Sequence, residues 1–95
     1  MSDTLGIDHL GLTVSDLNAS VRFFTEALGW ERFGGNPDYP AVYVTDGHAN
    51  LTLWQRRGAT GFDRHETVGL HHFALKVASR ADLDAVFDRA SELVR

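Results

Sequence analysis

The pattern of apolar and polar residues predicts four short β-strands in the first part of the chain. They cover residues 7–14, 30–33, 41–45 and 50–55. After the first strand, apolar residues recur at helical spacing and predict a helix over residues 16–28. Asp16 is suited to cap the start of this helix and Gly29 to end it. The resulting order is β-α-β-β-β.

A second strand and helix are predicted near the end of the chain. Residues 56–67 are polar and form an exposed connection, and residues 70–77 then alternate as a strand. Ser79 and Asp82 resemble a capping box, and apolar residues from Leu83 onwards share one helical face. The chain is therefore expected to continue with a β-α unit.

The two β-α units resemble one another. GIDHLGLTV at residues 6–14 aligns without gaps with GLHHFALKV at residues 69–77, and His9 matches His72 at an offset of 63 residues. Such a match, followed each time by a capped helix, indicates a duplicated module. Both histidines are out of phase with the aliphatic face of their strand. Repeat-related histidines on that face can converge on one ion; the alternative is that each fills a half-exposed sheet position.

The composition narrows the class of protein. The chain is 43% hydrophobic and 23% charged, as in globular domains, and its net charge of −4 argues against binding nucleic acid. It contains no cysteine, which excludes thiolate ligands and cysteine nucleophiles. With no signal peptide and no membrane-length apolar run, we expect a cytoplasmic protein without membrane contact.

The sequence IDHLGLTVSDL at residues 7–17, with SVRFF at 20–24, LGW at 28–30 and the repeat at 69–77, resembles the vicinal oxygen chelate superfamily. This superfamily includes glyoxalase I, extradiol dioxygenases and bleomycin-resistance proteins. The resemblance covers nearly the whole chain. It implies an α+β fold of paired βαβββ modules, in which a mixed sheet curves into an open cleft. A divalent metal in such clefts usually chelates two oxygens of the substrate.

The resemblance also implies a domain organisation. Residues 1–95 form one domain, with a complete βαβββ module at 5–57 and the first strand and helix of a second module at 68–95. The segment that would match residues 50–55 at the 63-residue offset lies beyond the last residue. We therefore expect a truncated chain. The alternative is that a partner supplies the missing strands, as in a homodimer, with strand exchange as one route.

The resemblance also implies roles for individual residues of this sequence. His9 and His72 match metal ligands, whereas Thr52 stands where glyoxalase-like members have a carboxylate, which counts against glyoxalase I. Two histidines fit the extradiol pattern and favour Fe²⁺, with Mn²⁺, Zn²⁺, Ni²⁺ or no metal as the other options. The glutamate of that pattern has no counterpart here. From strand phase, Tyr43, Thr52 and Trp54 are expected to line the cleft and bind substrate.

Two functions follow, and no catalytic residue can be assigned to either. The first is divalent-metal-dependent chemistry on a small oxygen-chelating substrate, as in a dioxygenase or lyase. The alternative is a metal-free protein that binds or sequesters a small molecule, as bleomycin-resistance proteins do. A third interpretation is a folded but inert fragment.

The remaining histidines and an arginine pair receive simpler interpretations. We expect His71 to be structural, and His48 and His65 to be exposed. Arg56 and Arg57 are expected to be a solvated pair, with binding of an anionic substrate group as the alternative.

Overall fold

The strands and helices of the computed structural model, which describes residues 2–58 and 61–94, confirm the α+β class. Their order gives a βαβββ unit followed by a second helix. The elements are β1 Leu10–Val14, α1 Leu17–Arg22, a π-helical segment Phe23–Ala27, β2 Glu31–Asn36, β3 Ala41–Thr45, β4 Asn50–Gln55 and α2 Arg80–Leu93.

The four strands form one mixed sheet in the order β1-β4-β3-β2. β1 runs parallel to β4, with Leu12 opposite Leu53, and the other two pairings are antiparallel. The limits of β3 and β4 are those predicted from the alternation. Parallel pairing of β1 with β4 brings the start of the chain beside the last strand of the unit.

One face of the sheet carries the hydrophobic core. The aliphatic residues of β3 and β4 alternate inward, and Val44 and Leu53 have 0% of their surface exposed. The buried cluster consists of Leu17, Phe24, Trp30, Val42, Val44, Leu51 and Leu53. Leu10, Leu12 and Val14 of β1 pack against it, as their phase predicts.

The first helix is fixed at its start by polar contacts. Asp16 accepts a hydrogen bond from the Ala19 backbone N–H at 3.1 Å, as expected of a capping residue. The side chain of Gln55, at the end of β4, makes two further hydrogen bonds to the start of this helix. Its Oε1 accepts from the Leu17 N–H at 2.8 Å, and its Nε2 donates to the Ser15 carbonyl at 2.8 Å. The helix therefore begins at a fixed place relative to the sheet.

The single helix predicted over residues 16–28 is instead an α-helix that widens into a π-helical segment. The Leu28 N–H donates to the Phe23 carbonyl, five residues back, and the Thr25 hydroxyl donates to the Val21 carbonyl. The wider turn leaves Phe24 facing the core. Gly29 follows with φ +74°, which a residue without a side chain adopts most readily and which confirms the predicted end of the helix.

The turn between β3 and β4 is closed by Asp46. Its Oδ1 accepts from the backbone N–H groups of Ala49 at 2.7 Å and His48 at 2.8 Å. The Ala49 hydrogen bond, with a smaller contribution from His48, lowers the pKa of the Asp46 carboxyl. The chain therefore turns at Asp46 and Gly47, where Gly47 has φ +92°.

The strand predicted over residues 70–77 is not formed. Phe73, Leu75 and Val77, its expected buried face, remain 39–45% exposed. Alternation alone does not make a strand, because each strand needs a neighbour for its backbone hydrogen bonds. β1 obtains these bonds from β4, and the equivalent of β4 at the 63-residue offset lies outside this sequence. The predicted module limits, 5–57 and 68–95, stay predictions.

The closing helix α2 is confirmed. The Ser79 hydroxyl accepts from the Asp82 N–H at 3.2 Å. The helix packs against the π-helical segment, where Arg89 Nε donates to the Ala27 carbonyl at 2.8 Å. Over residues 2–58 and 61–94, neither helix is long and apolar enough to cross a membrane.

Replacing Leu53 by Ala should lower the free energy of unfolding by about 2–5 kcal/mol, because it leaves a cavity under the centre of the sheet. Urea unfolding followed by circular dichroism measures the change. Leu5→Ala is the matched control, since Leu5 is fully exposed. Equal stability of the two variants would contradict this description of the core.

Candidate functional site

The face of the sheet opposite the core forms an open concavity of ≈ 420 Å³. Its lining residues are Asp8, His9, Phe33, Tyr43, Asn50, Leu51, Thr52 and Trp54. Five residues are expected to form the site. Four of them line this one concavity, namely His9, Tyr43, Thr52 and Trp54. Tyr43 and Thr52 are directly paired across β3 and β4. Their roles in binding a substrate or a metal stay predictions.

Phe33 is a lining residue that sequence reasoning missed. Its ring lies 5.9 Å from that of Tyr43, centroid to centroid. The predicted strand stopped at residue 33, but β2 continues through Gly34 and Gly35 to Asn36, with a bulge between Arg32 and Gly34. A Cβ at Gly34 would lie 2.9 Å from Tyr43 Cδ2. Glycine at this position therefore lets the Tyr43 ring lie across β2.

Trp54 is held between two neighbours at the other end of the concavity. A Cβ at Gly11 of β1 would lie 3.4 Å from the indole Nε1, so the ring lies close against that strand. The Tyr39 ring meets the indole edge to face, at 5.3 Å between centroids and 69° between planes. Tyr39 lies between β2 and β3, outside the strands predicted from the sequence.

His9 is paired with the residue before it. Its Nδ1 lies 2.7 Å from Asp8 Oδ2, and both side chains are largely exposed. An ionised carboxylate only accepts hydrogen bonds, so Nδ1 of His9 carries the proton and donates it. In the neutral ring, Nε2 is then left with a lone pair that can accept a proton or bind an ion.

His72 lies outside the lining of the concavity. It is exposed, with its Nδ1 2.8 Å from Nδ1 of His71, and the His71 ring also meets His65 at 5.0 Å. His71 is exposed as well, so it does not fill the core. The expected convergence of His9 and His72 on one ion stays a prediction.

The donors near His9 do not make a complete metal centre. Within residues 2–58 and 61–94, no group of three or more His, Cys, Asp or Glu side chains is arranged to hold a metal ion. Thr52, where a carboxylate would be needed, offers only a hydroxyl. The described residues therefore do not fit a whole metal site, and no reaction step through a metal follows from them.

Three of the residues expected to be exposed are so, and the expectation for a fourth needs revision. His48 and His65 are exposed as expected, and so is Arg56. Arg57, expected to be solvated, is exposed but also donates two hydrogen bonds to the Tyr39 carbonyl, from Nη2 at 2.8 Å and from Nε at 3.3 Å.

Comparison with known proteins agrees with this architecture. The family sequence model of the Glyoxalase/Bleomycin resistance protein/Dioxygenase superfamily matches residues 6–93 of this chain. A glyoxylase/bleomycin resistance protein/dioxygenase domain from Frankia sp. EAN1pec is 32% identical, with a TM-score of 0.81 over 95% of this chain and 70% of that one. The chain therefore belongs to the Glyoxalase/Bleomycin resistance protein/Dioxygenase superfamily, and the vicinal oxygen chelate resemblance is confirmed.

Two further relatives show the range of the superfamily. The chain is 30% identical over 92 residues to Catechol-2,3-dioxygenase of Bacillus subtilis (strain 168), which is 93% of this chain and 32% of that enzyme. It thus spans about a third of that relative's length. The fosfomycin resistance protein FosX from Mesorhizobium loti is 18% identical, with a TM-score of 0.68 over 96% of this chain and 69% of that one. This second likeness shows the fold alone.

Replacing Asp8 by Ala should change the tautomer of neutral His9, because the acceptor that holds the proton on Nδ1 is lost. Long-range ¹H–¹⁵N correlation spectra distinguish the two tautomers. We expect Nδ1–H in the natural sequence and mainly Nε2–H in the variant. Asp3→Ala, an exposed carboxylate in the same terminal segment, is the control. Unchanged His9 shifts in Asp8→Ala would show that the carboxylate does not set the tautomer.

Proposed function

We propose that the concave face of the sheet binds a small planar molecule beside His9. The gathering of His9, Tyr43, Thr52 and Trp54 around one concavity of ≈ 420 Å³ carries this proposal. A cavity of this size suits a small molecule and not a peptide or nucleic acid. The net charge of −4 also argues against a nucleic-acid ligand.

The chemistry of the lining supports a planar ligand. The rings of Phe33, Tyr43 and Trp54 offer flat apolar surfaces against which an aromatic compound stacks. The hydroxyls of Tyr43 and Thr52 and the imidazole of His9 supply a few polar groups that can orient it. Binding of this kind needs no metal, as in the bleomycin-resistance type of protein.

The first ligand we propose to test is catechol. It is planar and carries two neighbouring oxygens, so it suits both the aromatic lining and the oxygen-chelating chemistry expected of the superfamily. The relative named Catechol-2,3-dioxygenase supports this choice. The choice stays a proposal, because the chain spans only 32% of that enzyme.

Catechol should change the fluorescence of Trp54 in a saturable way. Trp30 is 6% exposed and packs on Phe24 in the core, so it should not respond. A titration of the natural chain is compared with Trp54→Phe, which keeps only Trp30, and with free tryptophan to correct for absorption. Loss of the saturable signal in Trp54→Phe is the expected result. Its persistence, or its absence from both proteins, would count against binding at this face.

A second candidate is metal-dependent chemistry on such a compound. The hydrogen bond from His9 Nδ1 to Asp8 favours it, because metal-binding histidines usually donate their other ring N–H to a carboxylate or carbonyl. His9 and His72 are the ligands we propose, with Fe²⁺ favoured over Mn²⁺, Zn²⁺ or Ni²⁺. The remaining ligand would come from elsewhere, and a homodimer with strand exchange is the source we propose.

His9→Ala should reduce the binding of a divalent ion. Equilibrium dialysis against Mn²⁺, and against Fe²⁺ without oxygen, followed by elemental analysis, gives the metal content per chain. We expect a loss of about 10-fold or more in affinity when one of few ligands is removed. His48→Ala is the matched control, since His48 is an exposed histidine outside the concavity. Equal metal content in the two variants would exclude His9 as a ligand.

A further inference from the structure

The segment between β2 and β3 folds back against the concavity. It contains Pro37 and Pro40, and its turn is stabilised where Asn36 Oδ1 accepts from the Asp38 N–H at 3.0 Å. Tyr39 projects from this segment to meet the indole of Trp54 edge to face. The end of the concavity is therefore shaped by a residue that does not itself line it.

The backbone carbonyls of Tyr39 and Pro40 tie this segment to the last residue of β4 and to the chain just after it. The Gln55 backbone N–H donates to the Pro40 carbonyl at 3.1 Å. The Arg57 guanidinium donates to the Tyr39 carbonyl through Nη2 at 2.8 Å and Nε at 3.3 Å. The first tie is a backbone bond that any residue at position 55 other than proline makes. The second depends on the side chain of Arg57.

The Tyr39 ring limits the positions open to the Trp54 indole. On one side the indole lies against β1 at Gly11, and on another it meets Tyr39. The indole is only partly buried, so these contacts, and not enclosure in a core, determine its orientation. Moving Tyr39 away would open additional side-chain rotamers to Trp54.

We propose that Arg57 is a positioning residue for the ligand site: by holding the Tyr39 carbonyl, it keeps the Tyr39 ring against Trp54 and so fixes the indole. The consequence for binding rests on the proposed function, whereas the effect on the orientation of Trp54 does not. A fixed indole costs less to order when a flat ligand binds against it. Arg57 thereby acts on binding without touching the ligand.

The chemistry of the contact explains why arginine is needed. The guanidinium presents several N–H donors in one plane, and two of them reach the same carbonyl oxygen. A lysine ammonium is a point charge on a flexible stem and holds the same carbonyl less firmly. Arg56, one residue earlier, engages the structure through its backbone: its N–H donates to the Val14 carbonyl at 2.9 Å.

The test follows Trp54 directly. In a Trp30→Phe background, shown to be folded by far-ultraviolet circular dichroism, Trp54 is the only tryptophan. Arg57→Ala should weaken the near-ultraviolet circular dichroism of Trp54 and speed its fluorescence depolarisation. Arg57→Lys should restore part of both signals, and Arg56→Ala should leave them unchanged. Tyr39→Ala removes the ring but leaves the backbone carbonyl, and it should reproduce the effect of Arg57→Ala.

Catechol titration of the same variants separates the two proposals. We expect Arg57→Ala to bind about three- to tenfold more weakly, a loss of the size that one ordinary hydrogen bond contributes. If no variant binds catechol but Trp54 loosens as expected, the proposed ligand is wrong and the positioning role stands. If Arg57→Ala folds and leaves the Trp54 signals unchanged, the positioning role is wrong. Should Arg57→Ala not fold, Arg57→Lys decides by the same readout, because it changes only the donor to the Tyr39 carbonyl, and signals equal to those of the parent would contradict the role.

Discussion

The alternation of side chains along β3 and β4 joins the hydrophobic core to the open face of the sheet. Val44, Leu51 and Leu53 point to one side and are buried, while Tyr43 and Thr52 point to the other. A slip of one residue in either strand would exchange the two sets, placing rings and hydroxyls in the core. The aliphatic residues that stabilise the unit therefore also fix the strand register. That register places Tyr43 opposite Thr52 on the concave face.

The open face is lined by rings, and no helix or strand within residues 2–58 and 61–94 forms a second layer over it. Glycine makes this possible at two places, because Gly34 leaves room for the Tyr43 ring and Gly11 lets the Trp54 indole approach β1. The rings of Phe33, Tyr43 and Trp54 line the concavity. Apolar surface of this kind is usually buried in a small domain, and its exposure is typical of a surface that binds something.

The features that depend on local pattern could be predicted from the sequence. Strand phase gave the limits of β3 and β4 and assigned Tyr43, Thr52 and Trp54 to the open face. Capping residues and Gly29 located the helix ends, although the widening at residues 23–27 leaves no periodic signal. The failed strand at 70–77 shows the limit of this reasoning, because alternation describes the faces of a strand and says nothing of its neighbour.

The parts of the site that were missed depend on contacts between distant residues. Phe33 lies within the predicted strand, but its place beside Tyr43 comes at a bulge between Arg32 and Gly34, and two successive glycines are a poor signal for a strand. Tyr39 meets Trp54, and Arg57 meets Tyr39, through pairings that no spacing encodes. The relation of His9 to His72 is of the same kind, since it depends on how two repeats are placed relative to one another.

The parallel pairing of β1 with β4 has a consequence for the entropy of closing the sheet. β2, β3 and β4 are joined by short connections, so each can pair with a strand that has just formed. β1 differs, because Leu10 pairs with Leu51 and the whole intervening chain has to be closed into a loop for that pairing. The pairing of β1, which starts one residue after His9, therefore carries the largest loop-closure cost in the sheet. The concavity spans this long-range pairing, with His9 just before β1 and the rings of Phe33, Tyr43 and Trp54 on β2, β3 and β4.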